Sequence, residues 1–153
     1  MPVGYLGPAY PATQSEVRRV ELQILPPVSA ADRVESLPAD YRQHAVSPGG
    51  GRLAENSTAV KVVFTMSDTA PEWARISEAL ETYEDRLPGW LTPVASDEFG
   101  NLYCMSIRRG DGGSIWFWDH ELEADEGEAP RLDNIDRVAD DWTQFLNGLT
   151  PLP

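Results

Sequence analysis

The chain is poor in basic residues, thiols and imidazoles. Only 12 Lys and Arg stand against 25 Asp and Glu, for a formal net charge of −13. Such a field repels phosphate backbones, so no nucleic acid is expected as a partner, and a basic protein suits it better. The same charge also serves plain solubility. One cysteine, Cys104, excludes an intramolecular disulfide and fits a reducing compartment. No run approaches the about 20 apolar residues of a membrane span. The opening MPVGYLGPAYPATQ lacks the basic and apolar regions of a signal peptide. No membrane partner is expected, and a cytoplasmic location is.

Chemistry is equally thin. Nucleophilic catalysis needs a base beside its nucleophile, and the chain offers Cys104, His44 and His120. Cys104 lies in a strand-like run, where a small buried thiol is the usual state. No GxSxG, HExxH or dinucleotide fingerprint occurs, and Gly49-Gly50-Gly51 is not followed by Gly-Lys-Ser/Thr. Zinc takes about four ligands. Asp119, His120 and Glu121 are adjacent and would alternate in direction on a strand, which reads as a solvated strand end. Asp97-Glu98-Phe99-Gly100-Asn101 lacks calcium-loop spacing and reads as a turn. No catalytic residue, metal ligand or cofactor is expected, and the chain reads as a non-enzyme. A hydrolase using Asp97 or Asp119 remains a third reading, with no carboxylate pair singled out.

What is present suits one domain. The length is 153 residues and apolar residues make up 41%. Residues 1–12, with three Pro and two Gly, read as an extended or poorly ordered arm. A single domain then covers 13–150. Thr13-Gln14-Ser15-Glu16 reads as a capping box for a helix carrying Val17, Val20 and Ile24, stopped by Pro26 and Pro27. A second helix is predicted from Pro38 to Val46, with a flexible glycine loop after it. Residues 59–66 (AVKVVFTM) read as a strand. Thr69 to Arg86 reads as a helix, with a second capping box from Thr69 and Glu72. Its stripe of Trp73, Ile76, Leu80 and Tyr83 suits a core.

Three strand-like runs follow: Leu91 to Ala95, Leu102 to Arg108, and Ser114 to Asp119. Gly110-Asp111-Gly112-Gly113 makes the last two a hairpin. Alternation puts bulk on both faces, so both are covered or one is an interface. Trp90, Trp116 and Trp118 read as core. From Asp119 to Asp141, ten acidic residues face only Arg131 and Arg137. A last helix carries Trp142, Phe145, Leu146 and Leu149. Periodicity alone would let it start at Asn134.

The run LPGWLTPVASDEFGNLYCMSIRRGDGGSIWFWDHE, followed by VADDWTQFLNGL, resembles the SUKH superfamily. Gly100-Asn101-Leu102-Tyr103-Cys104 looks like the family's Gly-Asn-x-x-Cys strand. Ile115 to Glu121 looks like its aromatic strand ending in Asp-His-Glu. Ala139-Asp140-Asp141-Trp142 with Phe145-Leu146 looks like its closing helix. Upstream, Leu37 to Arg42 and Gly49 to Arg52 are similar to its helix and glycines. The polar helix end Arg42 to Val46 departs from the pattern, and the arm has no counterpart. The resemblance implies an α+β fold, a largely antiparallel β-sheet with helices packed against it. It also implies a strand ending at Arg137 to Ala139 and Asp140 as the cap of the last helix.

That family unites bacterial immunity proteins of toxin systems with fungal regulators of cell-wall glucan synthesis. The first reading is therefore an immunity protein that neutralises a cognate toxin with a basic surface, such as a nuclease. The second is a regulatory scaffold with no toxin. The expected contact residues are Asp119, Glu121, Glu123, Asp125, Glu126 and Glu128, with Asp97 and Glu98 beside them. A solvated linker is the plain alternative for this loop.

Overall fold

A computed structural model describes residues 3–27 and 31–153. Its centre is a seven-stranded sheet whose spatial order is the chain order: β1 (Tyr5–Tyr10), β2 (Gly50–Leu53), β3 (Val60–Val63), β4 (Leu91–Asp97), β5 (Leu102–Ser106), β6 (Ile115–Trp118) and β7 (Ile135–Ala139). Every neighbouring pair is antiparallel. Four helices complete the α+β fold: α1 (Gln14–Ile24), α2 (Ala39–Val46), α3 (Ile76–Thr82) and α4 (Trp142–Asn147). The expected fold class holds.

Helix α1 starts where its local chemistry says it should. Thr13 Oγ1 accepts from the Glu16 N–H at 3.1 Å, and the Glu16 carboxylate accepts from the Thr13 N–H at 2.9 Å. Val17, Val20 and Ile24 are buried. Pro26 and Pro27 offer no N–H to continue the helix.

Cross-strand partners share a face, and two rows describe the sheet. One row runs Gly51, Val63, Ala95, Tyr103, Phe117 and Asp136. Phe145 of α4 packs on Tyr103 with ring centroids 5.1 Å apart, and Trp142 packs on Tyr41 of α2 at 4.9 Å. Helix α1 packs in turn on α2. The other row runs Arg52, Val62, Ser96, Leu102, Trp118 and Ile135. The segment around α3 covers this face, with Tyr83 edge-on to Trp118 at 5.7 Å. The interior strand β5 is buried throughout, including Cys104. Trp118 is 1% exposed, and Trp90 and Trp116 are partly buried against the core.

Six expectations are corrected. Residues 5–10, expected as an arm ahead of the domain, form edge strand β1, and Val3 is buried. Met1 and Pro2 lie outside the described residues. The predicted flexible loop at Gly49 to Gly51 is instead the entry into β2, and the glycines are needed for closeness. A Cβ on Gly50 would stand 2.3 Å from the Val63 carbonyl oxygen, and one on Gly49 2.2 Å from that of Tyr10.

The helix expected from Thr69 to Arg86 is broken. A 3-10 turn at Glu72–Ala74 precedes α3, and Arg75 between them is extended. A long-range contact wins here: Thr65 N donates to the Ala74 oxygen at 2.7 Å and Ile76 N to the Thr65 oxygen at 2.9 Å. The Thr69–Glu72 capping box does not form, because the Thr69 hydroxyl lies 3.1 Å from that of Ser67. The strand expected over 59–66 spans only Val60–Val63, since Ala59 has a φ of 58° and Phe64 onward leaves the ladder. The last helix is capped by Asp141, whose carboxylate accepts from the Gln144 N–H at 2.7 Å, and not by Asp140.

Candidate partner-binding groove

Arg86 follows α3 at one end of the covered face. Its guanidinium sits 4.6 Å from the Tyr83 ring centroid and 5.6 Å from that of Trp118. It donates to both Glu123 oxygens, at 2.7 and 3.0 Å. That pairing raises the Arg86 pKa further. Cation–π contact and a bidentate ion pair together give one defined geometry. They tie the loop after β6 to the turn after α3.

The loop has two further anchors at its base. Asp119 accepts from the Glu121 N–H at 3.0 Å and so caps a 3-10 turn, His120–Leu122. His120 N donates to Asn101 Oδ1 at 3.1 Å, and His120 Nε2 lies 2.8 Å from the Phe99 oxygen. Beyond Glu123 the chain is exposed at Asp125, Glu126 and Glu128.

Between this loop and the turn lies a groove of about 820 Å³, lined by Glu84, Asp85, Glu121, Asp125, Glu126 and Glu128 around the Arg86–Glu123 pair. None of those six carboxylates has an ion-pair partner among the described residues. An adjoining hollow of about 550 Å³ shares Glu84, Asp85 and Glu128 and is floored by Leu80, Tyr83, Leu87 and Pro130. The result is an acidic rim around an apolar floor. Such a site attracts cations and gives them something to pack against.

The structure thus brings together Glu121, Glu123, Asp125, Glu126 and Glu128, with Asp119 below them as the cap. Asp97 does not join them. It is 7% exposed, and its carboxylate accepts from the Phe99 N–H, the Asn101 N–H and Asn101 Nδ2 at 2.8 to 2.9 Å. Its surroundings make it a turn-former, which removes it from the expected surface. Glu98 is exposed beside Phe99, itself 71% exposed. Glu84 and Asp85 escaped the sequence reading. The run Glu81-Thr82-Tyr83-Glu84-Asp85-Arg86 carried the signal, but its place beside the loop depends on the sheet. Asp85 sits at a φ of 66°, which turns the chain back toward the core.

Cys104 is fully buried, and burial pushes its thiol well above the ordinary range. No helix among the described residues is long and apolar enough to cross a membrane. The family model described as the SMI1 / KNR4 family (SUKH-1) matches residues 11–148. The chain belongs to that family. The SUKH-1 match begins one residue after β1 and takes in the other six strands and all four helices. Among curated proteins, the chain is similar to the SPbeta prophage-derived uncharacterized protein YokK of Bacillus subtilis (strain 168), 31% identical over 109 residues. The aligned part is 56% of this chain and 55% of the relative, so the chain spans about half the length of that protein. No solved structure matches this SUKH-1 chain.

Proposed function

We propose that this SUKH-1 protein is an immunity protein that binds and neutralises a cognate toxin in the cytoplasm of the producing cell, without catalysis. One observation carries the reading: the acidic groove, whose six unpaired carboxylates converge beside an apolar floor. A nuclease holds phosphates with basic side chains, and this rim offers competing charge. Steering by such charge speeds encounter, while packing on Leu80, Tyr83 and Leu87 sustains residence.

The test is co-expression with the toxin encoded beside its gene, and stopped-flow association at several salt concentrations. The wild-type chain should restore growth. Asp125→Lys with Glu126→Lys and Glu128→Lys should slow association about tenfold or more and flatten its salt dependence. Equal rescue and equal rates in the triple variant would sink the reading. A chain that rescues from no toxin yet captures a component of wall synthesis would support the regulatory scaffold instead.

A further inference from the structure

We propose a second docking site on the same sheet face, built on Trp73, Tyr10, Arg52 and Lys61, that receives a carboxylate-bearing segment of a protein partner. Its cations are the unusual feature. Eight ion pairs engage Arg19, Arg33, Arg75, Arg86, Arg108, Arg109, Arg131 and Arg137. Arg18, Arg42, Arg52 and Lys61 have no such partner among the described residues. Acids outnumber bases twofold in this chain, yet Arg52 and Lys61 stand on adjacent strands without a carboxylate.

They stand beside an aromatic that the fold leaves outside. Trp73 is 52% exposed, although its sequence stripe with Ile76 and Leu80 pointed to the core. The short turn carrying it is pinned by the hydrogen bonds of Thr65 to Ala74 and Ile76. Tyr10 of β1 meets it edge-on at 6.5 Å and 81°. Trp73, Arg52, Lys61, Val62 and Ser96 enclose a hollow of about 360 Å³. That is small for a ligand site, where about 300–1,000 Å³ is usual, and it suits side chains of a docked segment.

The chemistry selects the occupant. Two free cations attract an anion, and Trp73 supplies an apolar wall for the stem that carries it. A polyanion such as nucleic acid would bring its charge against the whole molecule's −13. An apolar segment with one or two carboxylates brings little charge against that field and answers chiefly to the local cations. The site does not rest on the acidic groove. The two lie along one cross-strand row, Arg52 to Trp118, which spans four strand spacings, or about 19 Å. One partner of ordinary interface size can cover both.

The probe is a blocked peptide, acetyl-Leu-Asp-Leu-Glu-amide, titrated into the isotope-labelled full chain. The Trp73 indole N–H, assigned with Trp73→Phe, is the reporter. A saturable shift there is expected, weakened at least tenfold by Arg52→Gln with Lys61→Gln, while a single-stranded oligonucleotide moves nothing. Both substitutions are at the surface, so the unperturbed core signals check the fold. No saturable shift at Trp73, an unchanged affinity in the double variant, or tighter binding of the oligonucleotide overturns the proposal. The groove has its own reporter, the Trp118 indole with a lysine peptide, so either site can fail without the other.

Discussion

Glu16 accepts hydrogen bonds from the backbone N–H groups of Thr13 and Asp68, and these hold its carboxyl at about 2, from an ordinary 4.5. Its contribution to stability is full above 4.5 and is lost as pH falls toward 2. Burial lowers His44 to about 4 from 6.5. The unfolded chain then takes up the proton first, so stability falls as pH drops from 6.5 to 4. Urea denaturation between pH 8 and pH 3 should show both limbs. His44→Gln should flatten the upper one and Glu16→Gln the lower, and an upper limb unaltered by His44→Gln would refute the assignment. The tryptophans separate by burial in the same way. Trp118→Ala should cost about 3–5 kcal/mol in a denaturant titration. Trp73→Ala should cost about 1 kcal/mol, the value of its edge contact with Tyr10. Sequence alternation identified Trp118 as core correctly. It misplaced Trp73, because helical spacing was read through Arg75, where the chain is extended.

Elements whose signals are local were legible. The capping box of α1 lies within four residues, and the hairpin turn joining β5 and β6 lies between its own strands. Arg108 fastens that turn, reaching Asp111 at 2.7 Å and covering Trp90 at 3.5 Å. Elements decided by distant partners were not legible. The break before α3 comes from Thr65, and the glycine strand β2 comes from the backbones of Tyr10 and Val63. Glycine there is a condition of strand approach, not a sign of looseness. Gly50→Ala should lower the melting temperature sharply, because the added methyl meets the main chain of Val63 and Phe64. Gly110→Ala, where nothing lies within 4 Å, should leave it within a few degrees. Equal melting temperatures for the two variants would contradict this account of β2.

Across the whole molecule, charge opposes compactness. A net −13 repels itself, and the eight ion pairs among the described residues are exposed or half-exposed and worth little each. Moderate salt should therefore raise the melting temperature, since screening relieves repulsion more than it weakens the pairs. A fall between 0.02 and 0.3 M sodium chloride would mean that the pairs dominate. The acidic loop itself was visible as a run of charge. The groove was not, because its other wall, Glu84 and Asp85, comes from 36 to 44 residues earlier in the chain and is placed by the packing of Tyr83 and Arg86 on Trp118. The sheet that does the placing has its strands in the order in which a ribosome would release them. Neighbours β2–β3, β4–β5 and β5–β6 are joined by short connections, so these strands find their mates close by in the chain. Low sequence separation of this kind favours rapid folding. A growing chain can lay down the sheet strand by strand, with α4 closing over Tyr103 and Tyr41 as the final act.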